Sequence, residues 1–409
     1  MAPAKGLSAQ ASATGEVESG PWVLPAALGG AIDAGHPWVY RNHVPVGMAA
    51  PTGSWVQVRA GGSMAWALYD HDSPIALRIY SRMQQPDSDW LKQRVRTAYQ
   101  LRQRCLNFER TDCYRLVSGE GDRLPGIVVD VYGPFAVISC DGAATESLVP
   151  WVVDAIRDVV GVRGILLKRR ASDEEETPRL SSVWGKEPPP RFSVRENGLS
   201  LSVELWSGQK TGLFLDHREN RELIEQHADG CEVLNLFSYT GAFSLYALRG
   251  GASHVTSVDV AEDASRAASS NLEKNGFSGE HHEAVCADVF DYLRAQAKLK
   301  KRFGIVISDP PSFARRKTQL RGAQRAYDRL HRAALECTED GGLFAAASCT
   351  SQMSPELFRQ SLARAAAEAG VSLQIIADRG HAVDHPIQTC HPEGRYLKFM
   401  LCVVRRDLS

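Results

Sequence analysis

A carboxylate and a thiol stand at matching places in two segments of the chain, each directly after a short apolar run. Asp309 opens an Asp-Pro-Pro-Ser sequence that follows the apolar residues 303–307, and Cys349 comes soon after the apolar residues 342–347. We interpret both runs as buried parallel strands. Because ligands of open α/β sheets bind outside the carboxyl ends of the strands, both side chains should reach one edge of one sheet. A thiol and a carboxylate at that edge suggest nucleophilic chemistry.

The length and charge of the chain limit what these residues could belong to. With 409 residues, the chain is too long for one small core, and we expect two or three domains. The formal net charge of -1 gives no overall signal for nucleic acid, although a local basic patch could still bind it. There is no run of about 18 apolar residues, so no membrane span is predicted.

The nine cysteines do not predict a metal site, because none of them forms a C-x-x-C pair. Most stand within or beside apolar runs, where we expect small buried side chains in a reducing, cytoplasmic compartment. Cys349 differs from these in its position, since it follows a predicted strand and does not fill one.

Changes in composition divide the chain into four predicted parts. Residues 1–20 are rich in Ala, Ser and Gly and predict a flexible tail. Short alternating runs predict a small all-β module over residues 21–84, and mixed patterns predict a central α+β module over residues 85–190. The acidic and Pro-rich residues 171–190 are predicted to form a loop or linker. From residue 191 to residue 409, apolar runs alternate with helical stretches, which is typical of a doubly wound sheet.

Periodicity predicts individual elements in both larger parts. In the central module it predicts helices at 87–105 and 148–160, and strands at 114–117, 127–132, 135–138 and 165–168. In the C-terminal part it predicts strands at 233–236, 255–258 and 396–404, besides the two that precede Asp309 and Cys349.

Acidic residues end or follow three successive strands of the C-terminal part: Asp259, Asp288 and Asp309. Asp259 could bind two ribose hydroxyls, and Asp288 is placed to contact an adenine. The first strand-to-helix turn contains only Gly241 and lacks the G-x-G-x-x-G pattern of dinucleotide sites. Phosphates would favour Gly and Lys, so the acids favour a cationic nucleoside such as S-adenosylmethionine. Each acid alone could equally be a helix cap.

Several motifs carry a closer resemblance, at residues 208–218, 235–243, 309–313, 348–349, 384–386 and 392–398. With them the chain resembles the S-adenosylmethionine-dependent ribosomal RNA methyltransferases of the large-subunit cytosine-C5 type, from about Gly35 to its C-terminus. The resemblance implies a PUA-type RNA-binding module, a central strand-helix module and a Rossmann-like class I methyltransferase domain with a mostly parallel seven-stranded sheet.

The resemblance also implies a cofactor, a partner and a set of contacts. The cofactor is S-adenosylmethionine, the product S-adenosylhomocysteine, and the partner ribosomal RNA that is protein-free or partly assembled. Two identical chains could pair to extend an RNA surface. The family's cofactor site maps onto Phe214, Arg218, Asn235, Phe237, Ser238, Tyr239, Asp259, Asp288, Asp309 and Pro310.

Cytosine chemistry gives both opening residues a role. Carbon 5 of cytosine is a poor nucleophile until a thiolate adds to carbon 6, which makes carbon 5 able to accept a methyl group. Cys349 is the predicted nucleophile, and Asp309 is predicted to hold the base and stabilise charge as the adduct forms.

Two other functions remain open. An amino-methyltransferase acting on adenine or guanine would use an Asp-Pro-Pro-aromatic turn, but here Ser312 separates Pro311 from Phe313, and such an enzyme does not need Cys349. A non-catalytic RNA-binding ribosome assembly factor would not need the apparently intact cofactor positions.

Basic residues follow the Pro-Pro turn and predict RNA contacts, at Arg315, Arg316, Lys317, Arg321 and Arg325. Arg329 and Arg332 continue the helical spacing, and the stripe could lie against phosphates or be a solvated helix face.

The chain departs from the family pattern at His217, where glutamine is common, at Ser312, where lysine is frequent, and at Asp328, where a basic residue is usual. These positions lie on the expected substrate side and bear on the target nucleotide more than on the cofactor.

Overall fold

The computed structural model describes residues 20–169, 179–206, 213–277, 279–314 and 316–406. The predicted tail lies outside these ranges apart from Gly20, and so do the acidic residues 173–176 of the predicted loop. Within the described ranges the strands form four sheets, of five, five, two and seven strands. No helix in these ranges is long and apolar enough to cross a lipid bilayer.

The first sheet has the strand order β1-β3-β4-β5-β2 and confirms the predicted β module. Its strands and one short helix are β1 (Trp22–Leu24), α1 (Gly29–Ala34), β2 (Trp38–Tyr40), β3 (Trp55–Ala60), β4 (Ser63–Tyr69) and β5 (Ile75–Ser81). The alternation that predicted strands is visible in β3, where Val56, Val58 and Ala60 are buried while Arg59 is exposed. One face of this sheet therefore covers its own small core.

The second sheet has the order β10-β9-β8-β7-β6 and forms the predicted central module with its helices. Its elements are α2 (Ser88–Cys105), β6 (Cys113–Ser118), β7 (Ile127–Tyr132), β8 (Phe135–Cys140), α3 (Ala143–Glu146), α4 (Val149–Val159), β9 (Gly164–Arg169) and β10 (Arg179–Gly185). Asp87 caps α2, since its Oδ1 accepts a hydrogen bond from the Trp90 amide at 2.7 Å. Every helix and strand predicted in this module is confirmed to within two residues.

The strand β10 corrects the prediction that residues 171–190 form a loop or linker. Arg179–Gly185 pairs antiparallel with β9 at the edge of the second sheet. The pairing shifts register between Ser182 and Trp184. Such a bulge interrupts the period-two alternation, so the strand gives little signal in the sequence, and the neighbouring prolines mask it further.

A short hairpin leads into the C-terminal part of the chain. Its strands, β11 (Phe192–Glu196) and β12 (Leu199–Val203), are joined by the two-residue turn Asn197-Gly198. Both turn residues have positive φ, 50° and 84°, as this tight hairpin turn requires.

The fourth sheet is the mostly parallel, seven-stranded sheet that the family resemblance implied, and it confirms the predicted fold class. Its order is β15-β14-β13-β16-β17-β19-β18, and only β19 runs antiparallel to its neighbours. The elements are α5 (Arg218–Glu225), β13 (Glu232–Leu236), α6 (Ala242–Arg249), β14 (His254–Asp259), α7 (Glu262–Lys274), β15 (His282–Cys286), α8 (Val289–Lys298), β16 (Phe303–Ser308), α9 (Leu320–Glu336), β17 (Thr338–Ser348), α10 (Pro355–Glu368), β18 (Ser372–Arg379) and β19 (Lys398–Arg405).

The order of this sheet reverses between β13 and β16. From β13 the chain moves outward through β14 to β15, and then returns to the other side of β13 with β16 and β17. The helices that follow β13 and β16 must therefore lie on opposite faces, which leaves a crevice between their first turns. Ligands are expected in this crevice.

A buried carboxylate, Asp384, joins the central module to the C-terminal sheet. It is fully buried and accepts hydrogen bonds from Arg218 Nη1 at 3.1 Å and from the Arg115 amide at 2.9 Å. Its backbone oxygen accepts another from Arg102 Nη2 at 2.7 Å. Burial would raise the pKa of Asp384, but His385 and Arg218 together hold it well below its usual range. The carboxylate is therefore charged whenever the protein is folded near neutral pH.

Replacing this carboxylate should destabilise the protein strongly. In Asp384→Ala the buried guanidinium of Arg218 would lose the carboxylate at its Nη1 and Nη2 and keep only the contact of its Nε with Glu219, so we expect the free energy of unfolding in urea to fall by about 3–5 kcal/mol. The exposed pair of Asp154 with Arg157 provides the control, since Asp154→Ala should cost less than about 1 kcal/mol. Equal losses of unfolding free energy in the two variants would contradict the role of Asp384 in joining the central module to the C-terminal sheet.

Candidate active site

A cavity of about 560 Å³ lies in the crevice predicted from the strand order. Its walls include residues that end or follow four neighbouring strands: Phe237 after β13, Asp259 at the end of β14, Asp309 after β16 and Cys349 after β17. The carboxylate and the thiol therefore reach one cavity, as their positions after two apolar runs predicted. Cys349 is partly exposed in it.

Most of the predicted cofactor residues line this cavity, namely Phe214, Phe237, Ser238, Tyr239, Asp259, Asp309 and Pro310. Leu213, Asp216 and His217 add a further part of the wall from the segment before α5. Residues 208–212, the first part of that family motif, lie outside the described residues.

Three predicted cofactor residues are not brought to the cavity wall: Arg218, Asn235 and Asp288. Arg218 is buried against Asp384, and Asn235 Nδ2 donates to Ser244 Oγ at 2.9 Å inside the fold. Asp288 caps α8, where its Oδ1 accepts from the Asp291 amide at 3.1 Å. Its carboxylate thus has the capping role that a single acid after a strand could equally have.

The turn between β13 and α6 has an unusual backbone. Phe237 and Tyr239 have φ values of 57° and 47°, which residues other than glycine seldom adopt. Gly241 follows with φ 77°, and a Cβ there would come within 2.9 Å of Ala268 Cβ on α7. Three left-handed residues in five fold the turn tightly, and such backbone strain is typical of binding sites.

Asp259 holds this turn against the end of β14. Its Oδ2 accepts a hydrogen bond from the Tyr239 amide and its Oδ1 accepts one from the Ala261 amide, both at 2.9 Å. The carboxylate thereby fixes two loops and still lines the cavity.

The cavity fits a cationic nucleoside. Phe214 and Tyr239 meet edge to face, with ring centroids 5.4 Å apart, and Phe237 adds a third aromatic wall. Ser238 Oγ is buried and has no hydrogen-bond partner among the described residues. Apolar walls, a few polar groups and a carboxylate are the features expected of a site for S-adenosylmethionine.

Asp309 is held by His217, one of the three positions that depart from the family pattern. His217 Nε2 lies 3.3 Å from Asp309 Oδ2. Asn220 Nδ2 donates to the Gly380 carbonyl at 3.1 Å and to His217 Nδ1 at 3.2 Å. Because Nδ1 accepts a hydrogen bond, the ring proton is on Nε2, and Nε2 donates a hydrogen bond to Asp309. This link between β16 and the segment before α5 could not be read from the sequence, because it joins residues about ninety positions apart.

Hydroxyl groups connect the turn at Cys349 to the Pro-Pro turn. Ser312 Oγ lies 3.2 Å from Thr350 Oγ1, while the Tyr327 hydroxyl donates to Ser348 Oγ at 2.9 Å and lies 3.0 Å from Thr350 Oγ1. Burial raises the pKa of Tyr327 to about 12, so the phenol stays protonated near neutral pH. Sequence reasoning missed Tyr327, which lies on the buried face of α9.

The predicted RNA residues are exposed where they are described. Arg316, Arg321 and Arg325 are all exposed, whereas Arg315 and the side chain of Lys317 lie outside the described residues. Asp328, the acid within the stripe, is paired with Arg364 of α10 at 2.9 Å. It is therefore directed to a different helix.

The affinity for S-adenosylmethionine should distinguish the role of Asp259 from that of Asp288. In Asp259→Ala the turn loses an ionised acceptor of hydrogen bonds worth about 1.5–3 kcal/mol, so isothermal titration calorimetry should show affinity reduced at least ~10-fold. Asp288→Ala is the matched control, in which affinity should change little while stability falls by about 1 kcal/mol through the lost helix cap. An equal loss of affinity in Asp288→Ala would show that this carboxylate does reach the cofactor.

Comparison with known proteins identifies two domains of the chain. Residues 160–380 match the family described as S-adenosylmethionine-dependent methyltransferase, and residues 27–82 match the PUA-like domain, as predicted. Among solved structures, a putative S-adenosylmethionine-dependent methyltransferase from Streptococcus mutans is 25% identical, with a TM-score of 0.82 over 94% of this chain and 99% of its own. A putative methyltransferase complexed with S-adenosylhomocysteine is 26% identical, with a TM-score of 0.83 over 94% of this chain and 100% of its own.

Curated relatives extend the likeness to nearly the whole chain. Ribosomal RNA large subunit methyltransferase I of Photobacterium profundum is 35% identical over 90% of this chain and 96% of its own. The protein of the same name from Vibrio cholerae is 36% identical over 90% of this chain and 95% of its own. The chain therefore belongs to the S-adenosylmethionine-dependent methyltransferases, in the family that includes ribosomal RNA large subunit methyltransferase I.

Proposed function

We propose that this enzyme methylates carbon 5 of a cytosine in large-subunit ribosomal RNA through a transient adduct with Cys349. The observation that carries the proposal is that Cys349 and Asp309 share one cavity with the residues that fit the cofactor. The names of the curated relatives support ribosomal RNA as the substrate. An amino-methyltransferase would need no thiol in this cavity.

The reaction divides into addition, methyl transfer and elimination. The Cys349 thiolate forms a bond from Sγ to carbon 6 of the cytosine, which makes carbon 5 electron-rich. Carbon 5 then accepts the methyl group that bound S-adenosylmethionine supplies. Removal of the proton from carbon 5 restores the ring double bond, breaks the Sγ–carbon 6 bond and returns the thiolate.

Asp309 would hold the base during these steps. His217 donates to one carboxylate oxygen, Oδ2, which leaves Oδ1 to accept a hydrogen bond from the amine of the cytosine. Because that hydrogen bond fixes the carboxylate before the base enters, little reorganisation is needed as charge develops.

The target base must leave its stack to reach carbons 5 and 6, which favours unpaired RNA. Protein-free or partly assembled large-subunit RNA offers such bases. The exposed residues Arg316, Arg321 and Arg325 begin five positions after Pro311 and are suited to hold the phosphates that flank the base. The PUA-like domain would contribute further RNA contacts.

Trapping the adduct tests the chemistry. With ribosomal RNA that contains 5-fluorocytosine, fluorine takes the place of the proton that must leave carbon 5, so a covalent protein–RNA complex should accumulate when S-adenosylmethionine is present. It should be visible by denaturing electrophoresis. Cys349→Ala should form no complex and should lose methylation, whereas the control Cys286→Ala should behave as the wild type.

Two results would count against this proposal. One is full methylation by Cys349→Ala, and the other is an active enzyme that forms no complex on the fluorinated RNA. Methyl groups found on the exocyclic amine of adenine or guanine would instead establish the amino-methyltransferase alternative.

The arginine stripe should contribute to the salt dependence of RNA binding. Each lost phosphate contact should reduce the slope of log affinity against log salt by about 0.7 for single-stranded RNA. In Arg321→Gln/Arg325→Gln we therefore expect a reduction of about 1.4, measured by fluorescence anisotropy with a ribosomal RNA fragment. Arg157→Gln on α4 is the control, since it removes one positive charge outside the stripe and should leave the slope unchanged. An unchanged slope in the double variant would identify the stripe as a solvated helix face.

A further inference from the structure

Lys398 is a buried cation close in the fold to the proposed nucleophile. It is the first residue of β19 and only 1% of it is exposed. In the antiparallel pairing of β17 with β19 it stands directly opposite Ser348, the residue before Cys349. Lysine is almost never fully buried in proteins unless something compensates its charge.

The ammonium group of Lys398 binds the residue that follows Cys349. Lys398 Nζ donates to the Thr350 carbonyl at 2.7 Å and to the Tyr396 carbonyl at 2.8 Å. The backbone of Lys398 thus lies opposite the residue before Cys349, and its ammonium group binds the carbonyl of the residue after Cys349. Both acceptors are neutral backbone carbonyls.

The groups around the turn at Cys349 would not by themselves favour ionisation of its thiol. Ser348, Thr350 and Tyr327 surround the turn with neutral hydroxyls, which fix its shape but bring no charge. Asp309 lines the same cavity as Cys349, and a second negative charge there opposes ionisation of the thiol. His217 donates only to Asp309. Lys398 of β19 places a cation beside the backbone at Cys349, where it would favour the thiolate.

We propose that Lys398 is a positioning residue that fixes the turn at Cys349 and stabilises the Cys349 thiolate before RNA binds. This inference rests on the proposed function, in which Cys349 is the nucleophile. Lys398 acts through Cys349 and does not itself take part in bond making.

The electrostatics of the site are consistent with this role. Burial lowers the pKa of Lys398 to about 8, a negative charge on Cys349 raises it, and Arg395 lowers it. The amine is therefore still largely protonated at pH 7. Interaction between two charges is mutual, so a cation that is stabilised by the thiolate stabilises the thiolate equally.

The pH dependence of thiol alkylation tests the proposal without RNA. The full-length enzyme would be treated with iodoacetamide across pH 5–10, and the rate at each cysteine followed by mass spectrometry of its peptide. In the wild type we expect the midpoint for Cys349 to lie below that of the exposed Cys286. Lys398→Met should raise the Cys349 midpoint by at least ~1 pH unit, whereas Lys398→Arg, which keeps the charge, should stay near the wild type.

Binding of S-adenosylmethionine shows whether each variant is folded. A folded Lys398→Met with an unchanged midpoint would overturn the proposal, and so would equal shifts in the Met and Arg variants. If Lys398→Met does not fold, the wild type still provides a test. A midpoint for Cys349 at or above that of Cys286 would then overturn the proposal. Because alkylation needs no RNA, a low Cys349 midpoint in an enzyme that forms no adduct with fluorinated RNA would support the role of Lys398 and contradict only the proposed function.

Discussion

The site depends on the parallel hydrogen-bonded register of β13, β14, β16 and β17. In that register Leu236 lies beside Val258 and Ser308, and Ser308 lies beside Ala346, so the carboxyl ends of the strands are almost level. The residues that follow these ends face a common crevice because the strand order reverses next to β13. A shift of one register position in any of these pairs would turn the site residues to the other face of the sheet.

Apolar runs predicted the ranges of five of the seven strands of this sheet, since buried parallel strands are short apolar runs with sharp ends, whereas the range of β15 and the whole of β18 were missed. The same runs predicted that Asp259, Asp309 and Cys349 lie near one another. The carboxyl ends of parallel strands lie at one edge of the sheet, so residues that end or follow these strands are close in space. Asp288 follows a strand in the same way but caps a helix, and spacing alone does not distinguish the two roles. Arg179–Gly185 was missed because a bulge breaks its alternation.

Contacts between distant segments could not be predicted from the sequence. The bond of His217 with Asp309, the hydroxyls around Thr350 and the ammonium of Lys398 all join parts of the chain that only the tertiary fold brings together. Two of the positions that depart from the family pattern, His217 and Ser312, take part in these contacts. They therefore act on the geometry of the site, and the resemblance alone had linked them only to the choice of nucleotide.

The place of β19 in the sheet has a consequence for the order of folding. This strand lies between β17 and β18, and β18 pairs with no other strand of the described chain. During synthesis, β18 must therefore wait without a partner until residues 398–405 have left the ribosome. Lys398 arrives with this same strand, so a chain that is still being made has the thiol of Cys349 without the cation beside it. With the role proposed for Lys398, full reactivity of the cysteine would be acquired only when the sheet closes.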